Sequence, residues 1–294
     1  MKTTFCRTVT KDRLRLDGLL FEPNKKSKIA ILHIHGMSGN FYENAFLDSM
    51  AKEYTKAGYA FLTANNRGHD HIADVKKEGP KEQYKRIGDI FEKIEDCVFD
   101  IDAWLKFLKT NGYKRFILQG HSLGTVKAVY YLGKRPKHPF EVLVLASPPD
   151  MLGLVRVKEE KKNFKRDLAE AKRLISKNQD DAFLSNKIWG EYYKSASSYL
   201  NFFADGAKTD VFPILRNGKF KALEGIKIPI LVFYGSNDDA VVFSPHKDLE
   251  IIKKHIRNSQ SKTLVIGNAS HSYFKHEKQV ALTIVRWLRQ FFKK

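Results

Sequence analysis

The chain has 294 residues, 43% of them hydrophobic, which is enough to bury a large core and excludes a disordered chain. Its formal net charge of +19 invites a nucleic-acid reading, but the lysines are spread along the whole chain and alternate with glutamates on presumptive helix faces, as on a solvated surface. No apolar run approaches the ~20 residues that cross a bilayer, and Met1–Cys6 lacks the apolar centre of a signal peptide, so no nucleic acid and no membrane insertion are expected and the expected compartment is the cytoplasm. The two cysteines, Cys6 and Cys97, belong to no metal-ligand pattern and fit a reducing compartment, where burial is their simplest use.

In chain order, residues 5–10 and 13–22 read as an opening hairpin with a turn at Lys11-Asp12 and a bulge or kink at Asp17-Gly18. Ile29-Ala30-Ile31-Leu32 is too short and too apolar for a surface helix and suits a strand buried on both faces. It runs into His35-Gly36-Met37-Ser38-Gly39. His33 and His35 share one strand face without a third ligand, so bracing histidines are favoured over a metal site. Phe46, Leu47, Met50, Tyr54 and Ala57 recur at helical spacing until Gly58, and Tyr59–Ala64 is the next strand. It leads to Asn65-Asn66-Arg67-Gly68-His69-Asp70, a surface turn in which Arg67 is stabilising or available to a substrate carboxylate. Residues 71–90 are polar and read as a long loop with a short helix. Phe91, Ile94, Val98, Ile101, Leu105 and Leu108 then fall on one helical face.

Ile117–Thr125 has the pattern of a buried strand, a Gly-x-Ser-x-Gly turn (Gly120, Ser122, Gly124) and a helix start. A serine is a poor nucleophile unless it is lifted from its chain, set near a base and faced by N–H donors, and a sharp strand-to-helix turn provides that. Glycines allow the close backbone approach such a turn needs. The helix that follows runs to Gly133. Glu141–Ala146 is another strand, left abruptly through Ser147-Pro148-Pro149-Asp150. From 151 to 220 the strand-like runs vanish; a charged helix over Lys158–Lys177 is followed by many aromatics. Ile228–Tyr234 restores the sheet and delivers Gly235-Ser236-Asn237-Asp238-Asp239-Ala240-Val241. Thr263–Ile266 is the last strand, Gly267–His271 a loop, and Val280–Phe292 a closing amphipathic helix.

These segments, in this order, resemble the α/β-hydrolase superfamily, whose triad runs serine, acid, histidine, and the resemblance covers nearly the whole chain. It implies an α/β-hydrolase fold: a mostly parallel central sheet flanked by helices, with a helical cap inserted after the sixth strand. The corresponding division is 1–150 and 221–294 as core and 151–220 as cap. It implies Ser122 as nucleophile, Asp238 as acid, with Asp239 or Asp150 as alternatives, and His271 as base. The backbone N–H groups of Met37 and Leu123 become the oxyanion hole, in which removal of one donor costs ~3 kcal/mol of barrier stabilisation. Trp189, Tyr199, Phe202 and Phe203 are candidate substrate contacts in the cap. Neither a metal nor an organic cofactor is required. The expected activity is hydrolysis of a carboxylic ester, thioester or activated amide of a small molecule, similar to feruloyl and cinnamoyl esterases, monoacylglycerol lipases and bacterial hydrolases of siderophore or peptide esters. An acyltransferase, or a hydrolase-fold receptor with little turnover, is the alternative.

Overall fold

The computed structural model describes residues 1–158 and 161–292. The chain opens with β1 (Lys2–Val9) and β2 (Arg15–Glu22), then β3 (Ile29–Ile34), α1 (Ala45–Lys56) and β4 (Ala60–Ala64). Next come β5 (Ala73–Lys77), β6 (Gln83–Ile87), two 3-10 turns (Asp89–Phe91 and Ile94–Asp96), α2 (Cys97–Thr110), β7 (Arg115–His121), α3 (Leu123–Lys134) and β8 (Phe140–Ala146). Four helices follow without an intervening strand, α4 (Met151–Lys158), α5 (Lys161–Ser176), α6 (Ala196–Phe203) and α7 (Lys221–Gly225). The chain ends with β9 (Ile230–Asn237), α8 (Pro245–Lys254), β10 (Lys262–Ser270) and α9 (Glu277–Leu288).

Eight strands form one sheet in the order β1-β2-β4-β3-β7-β8-β9-β10. The β1–β2 and β2–β4 pairs are antiparallel and every other pair is parallel. Parallel strands need crossover helices and are therefore covered on both faces, which is why β3, β7, β8 and β9 are mostly buried and rich in apolar residues. One hydrophobic cluster joins α2, α3, the helices after β8 and one sheet face; the other lies between the opposite face and helices α1 and α9. No helix of the described residues is long and apolar enough to cross a membrane.

Several elements depart from expectation. Residues 73–87 are not a loop with a helix but an antiparallel hairpin, with Ala73 opposite Ile87. Its side chains are mostly exposed, and the hairpin is held by Arg86 on Asp74 and by the Arg13 side chain on the Glu78 carbonyl. Asp17-Gly18 forms no bulge; the β1–β2 register is unbroken, and Gly18 is needed because a β-carbon there would come within 2.9 Å of the Thr63 carbonyl. Arg67 is not on the surface. It is 4% exposed and ion-paired with Asp12, Asp96 and Asp100, so it is committed to fastening the loop after β4 to the opening turn and to α2.

The segment after β8 is tied to the body by buried polar contacts. Lys194 Nζ lies 2.6 Å from Asp89, both fully buried. The Ser195 N–H donates to the Ile90 carbonyl, the Ser198 hydroxyl to the Glu92 carbonyl, and the Ile94 N–H to Asn201 Oδ1. Breaking a buried ion pair on one side strands a charge and costs ~3 to 5 kcal/mol, so Lys194 and Asp89 fix where this segment sits.

Three buried histidines are held neutral. Gln119 Nε2 donates to His33 Nδ1, and the Asn66 N–H donates to His35 Nε2, which leaves His35 Nδ1–H for the Gly36 carbonyl. His121 Nε2–H donates to the His271 carbonyl at 2.9 Å. Burial pulls His33 and His121 down to about 3 and His35 well below the usual imidazole range. The unfolded chain takes up protons on these rings below about pH 6.5, where the folded chain does not. Stability is therefore expected to be full above that pH and to fall by about 1.4 kcal/mol per histidine for each unit of further acidification toward pH 3. Thermal unfolding at pH 7.5 and pH 5 checks this: a clear drop in midpoint is expected, and an unchanged midpoint contradicts it.

Candidate active site

β7 ends at His121, and α3 begins at Leu123, with only Ser122 between them. Ser122 has φ 53° and ψ −127°, a backbone conformation that costs on the order of 1 to 3 kcal/mol for a residue with a β-carbon and persists only when its surroundings enforce it. The enforcement is visible. A β-carbon on Gly124 would lie 2.1 Å from the Ile34 carbonyl, and one on Gly120 2.4 Å from the Gly124 carbonyl, so α3 starts in backbone contact with both β3 and β7. The Ser122 N–H donates to the Ala146 carbonyl of β8, and the Thr125 N–H and hydroxyl both donate to the Ser122 carbonyl. The serine side chain is left at the apex.

The loop after β3 closes over that apex. A β-carbon on Gly36 would stand 3.0 Å from Ser122 Cβ, so the loop backbone lies directly against the serine. The His35 ring pins it on one side, and an N–H bond from Asp70 to the Gly39 carbonyl pins the other. Met37 and Leu123 both line the cavity in front of Ser122. Among the described residues, neither their N–H groups nor the surrounding backbone shows a protein acceptor for them. Two free N–H groups beside a serine, one at a helix start, form a receptive site for an oxyanion.

β9 ends at Asn237, directly before Asp238. Gly235 lets β9 run against the irregular end of β10, since a β-carbon there would be 2.1 Å from the Ala269 carbonyl. Three residues on, Asp238 is 4% exposed and its Oδ1 accepts from His271 Nδ1 at 2.8 Å and from the Ala240 N–H at 2.9 Å. Burial disfavours its charge, but His271, the Ser147 hydroxyl and the Ala240 N–H outweigh this and hold its carboxyl below the usual carboxylate range. With Nδ1 bound to an acceptor, the proton of a neutral His271 sits on Nδ1 and Nε2 is an unprotonated base. The His271 side chain is 22% exposed and opens on the same cavity as Ser122.

The alternative acids stand in different surroundings. Asp150 accepts from the N–H groups of Gly153 and Leu215 at the start of α4 and is pushed up by burial. Asp239 is exposed at the cavity rim. Asp238, Asp239 and His271 also form a group whose donor atoms lie within 4.8 Å of one another. In it the His271 Nδ1 and Asp238 Oδ1 are already spent on each other, which leaves poor provision for a metal ion.

The cavity encloses about 570 Å³. Its apolar wall includes Met37, Leu123, Pro149, Met151, Leu154, Trp189 and Tyr192, while Lys158, Asn163, Glu191 and Asp239 supply polar edges. Of the four aromatics expected at the substrate, only Trp189 is in this wall. Tyr199, Phe202 and Phe203 do not line it; they are at most 1% exposed and form the layer behind Trp189, with the Phe203 ring edge-on to it at 6.1 Å. Their spacing of three and four residues on α6 is that of a buried helix face, a signal the sequence already carried. Trp189 and Tyr192 instead sit on a tight turn closed by reciprocal backbone bonds between Ile188 and Tyr192, with Trp189 at φ 53°. Tyr192, Lys158, Asn163 and His121 were not singled out from the sequence.

Residues 29–277 match the family model described as the alpha/beta hydrolase fold, which is most of the chain. The chain belongs to that family. No curated protein sequence matches it. Among solved structures, this α/β-hydrolase is similar to Est1E from Butyrivibrio proteoclasticus with ferulic acid bound (TM-score 0.68, 16% identity, covering 97% of this chain and 98% of that one). It is also similar to an esterase from Pyrococcus furiosus (TM-score 0.61, 18% identity, 98% and 91% covered). A soluble variant of monoglyceride lipase from Saccharomyces cerevisiae, in complex with a substrate analogue, matches at TM-score 0.68 and 15% identity, with 100% and 97% covered.

Two glycine variants separate scaffold from site. Gly124→Ala forces backbone apart and is expected to cost at least about 3 kcal/mol of stability. Gly36→Ala pushes chiefly on the Ser122 side chain and is expected to leave the melting temperature within a few degrees while cutting ester turnover at least about tenfold. Denaturant unfolding and an activated-ester assay on both proteins check the contrast; a Gly36→Ala enzyme of full activity contradicts it.

Proposed function

We propose that this α/β-hydrolase is a serine esterase: it cleaves a carboxylic ester, or a thioester or activated amide, of a small organic molecule through an acyl-enzyme. The observation that carries the reading is the 2.8 Å bond from His271 Nδ1 to the buried Asp238, with Ser122 and the two free N–H groups on the same cavity. Likeness to an esterase that binds ferulic acid and to a monoglyceride lipase supports the reaction class.

His271 Nε2 takes the Ser122 hydroxyl proton as Oγ attacks the acyl carbonyl. The carbonyl oxygen gains the electron pair and is met by the Met37 and Leu123 N–H groups. On collapse the carbon–oxygen bond to the leaving alcohol breaks, and the imidazolium returns its proton to that alcohol. Water then attacks the acyl-enzyme, deprotonated by the same nitrogen, and releases the acid and Ser122. Asp238 accepts from Nδ1 throughout and offsets the charge of the imidazolium.

Residues 151–220 act as a helical cap that chooses the substrate. Lys158 and Asn163 supply polar contacts at one edge, and the Ile188–Tyr192 turn supplies an aromatic wall. The charged outer face of α5 fits a small substrate in solution better than a lipid surface.

Ser122→Ala is expected to abolish turnover of a 4-nitrophenyl ester with the melting temperature preserved, and Asp238→Asn to lower kcat by roughly 10⁴-fold because the amide stabilises the wrong tautomer. Asp150→Asn should leave kcat within about threefold; a loss confined to Asp150 moves the acid to the end of β8.

Trp189→Ala should reorder a series of esters by size while leaving 4-nitrophenyl acetate nearly unaffected, since one methylene of contact is worth only about 1 to 3 kcal/mol. Phe203→Ala, behind the wall, should instead cost about 3 to 5 kcal/mol of stability. Equal loss on every ester for Trp189→Ala contradicts the division of labour between cap and core.

A further inference from the structure

Lys127 is a lysine shut away from water. It stands on α3 one turn beyond Leu123 and is fully buried. Its Nζ donates to Asn66 Oδ1 at 2.7 Å, in the loop after β4, and lies 2.6 Å from Glu92 Oε1, just after the first 3-10 turn. The Glu92 carboxylate is buried as deeply; a β-carbon on Gly68 would stand 2.1 Å from it, and no other hydrogen-bond partner reaches it among the described residues. A desolvated ion pair is costly, and apolar side chains of the same volume often serve a core equally well, so this pair calls for a use beyond packing α3.

That use is visible in what Asn66 holds. Its N–H donates to His35 Nε2 at 3.1 Å, and His35 Nδ1–H donates to the Gly36 carbonyl at 2.8 Å, at the start of the loop that carries Met37. Farther along, Asn65 Oδ1 accepts from the Phe41 N–H, the Asp70 N–H donates to the Gly39 carbonyl, and Asn40 Nδ2 donates to Asp70 Oδ1. Residues 65–70 therefore cradle residues 35–41. Arg67 anchors the cradle to α2 and the opening turn, and Asn66 anchors it to α3 through Lys127.

The N–H groups that meet the oxyanion come from separate segments, Leu123 from α3 and Met37 from the cradled loop. Such donors act only at a fixed spacing, and about 1 Å of misplacement can cost on the order of a hundredfold in rate. We propose that Lys127 is a positioning residue that sets this spacing: through Asn66 and His35 it holds the loop of Met37 at a fixed distance from the helix of Leu123, with Glu92 as its counter-ion. This rests on the reading of Ser122 as nucleophile and of those N–H groups as its oxyanion donors. An ammonium suits the task because it has several protons to give and can grip Asn66 and Glu92 at once. Burial, and after it the Lys127 charge, keeps the His35 ring neutral, which leaves Nε2 able to accept from the Asn66 N–H.

The test is the kinetics of 4-nitrophenyl acetate hydrolysis together with inhibition by an aryl trifluoromethyl ketone, which binds as the tetrahedral adduct of a serine. Lys127→Met leaves Glu92 unpaired and should lower the melting temperature by about ten degrees, whereas Lys127→Met with Glu92→Leu removes both charges and should recover most of that loss. In the recovered double variant kcat is expected to stay down at least about tenfold with KM within about threefold, and the inhibition constant of the ketone to rise by a matching factor, because the loss falls on the oxyanion rather than on bound substrate. Asn66→Ala leaves the ion pair whole and cuts its link to the loop; the same pattern is expected there, at about fivefold or more.

An ion pair that serves folding alone gives a different result, since activity would return with stability. Parental kcat and parental inhibition in either the double variant or Asn66→Ala overturn the proposal. Should the double variant fail to fold, Asn66→Ala alone decides. Ser122→Ala in the same assay separates the two layers: if it keeps parental turnover, the reading of the site fails and the role of Lys127 with it, whereas if it is inactive and Asn66→Ala matches the parent, only the role of Lys127 fails.

Discussion

Everything at this site depends on how closely the first turn of α3 can approach β3. Gly124 meets the Ile34 carbonyl where no β-carbon fits, and Gly120 meets Gly124 in the same way. That contact turns the chain from strand to helix within one residue, forces Ser122 to φ 53° and leaves its hydroxyl at the apex. It also brings Leu123 beside the loop that carries Met37, so the nucleophile and oxyanion donors we propose come from one packing constraint rather than from separate devices. The strain stored at Ser122 is a small fraction of what a sheet buried on both faces contributes, which is why the body can hold it.

A second constraint places Asp238 and His271. β9 and β10 lie side by side in parallel, and their ends come close because Gly235 admits the Ala269 carbonyl. His121, one residue before Ser122, donates to the carbonyl of His271 and so ties the His271 loop to the strand-to-helix turn. Burial and the neighbouring His271 keep the His121 ring neutral, outweighing that bond, which by itself favours the charged form. The segment after β8 then docks on the polar ladder of Asp89, Ile90, Glu92 and Ile94, which sets the far wall of the cavity.

What could be read from the sequence was whatever the backbone pattern determines. The runs at Ile29–Leu32, Ile117–Gln119, Glu141–Ala146 and Ile228–Tyr234 became β3, β7, β8 and β9, because strands covered on both faces have few polar positions to blur the pattern. Ser122, Asp238 and His271 were legible through the glycines and strand ends beside them, and the structure brings the last two to hydrogen-bond distance. The β5–β6 hairpin was illegible for the opposite reason: its residues are exposed on both faces, so neither apolar alternation nor a tight turn marks it. Arg67 read as a surface residue because its three carboxylate partners come from distant segments. Tyr199, Phe202 and Phe203, offered by aromatic density as candidate contacts, lie instead on the buried face of α6, as their helical spacing dictates.

The measurement that bears most directly on this account is mass-spectrometric mapping of a phosphonate adduct. A fluorophosphonate should add one phosphonyl group per chain, on the peptide that contains Ser122, at a rate that falls at least about a hundredfold in His271→Ala while the variant remains folded. Labelling at any other residue, or a protein that hydrolyses esters yet resists the reagent at Ser122, would contradict it.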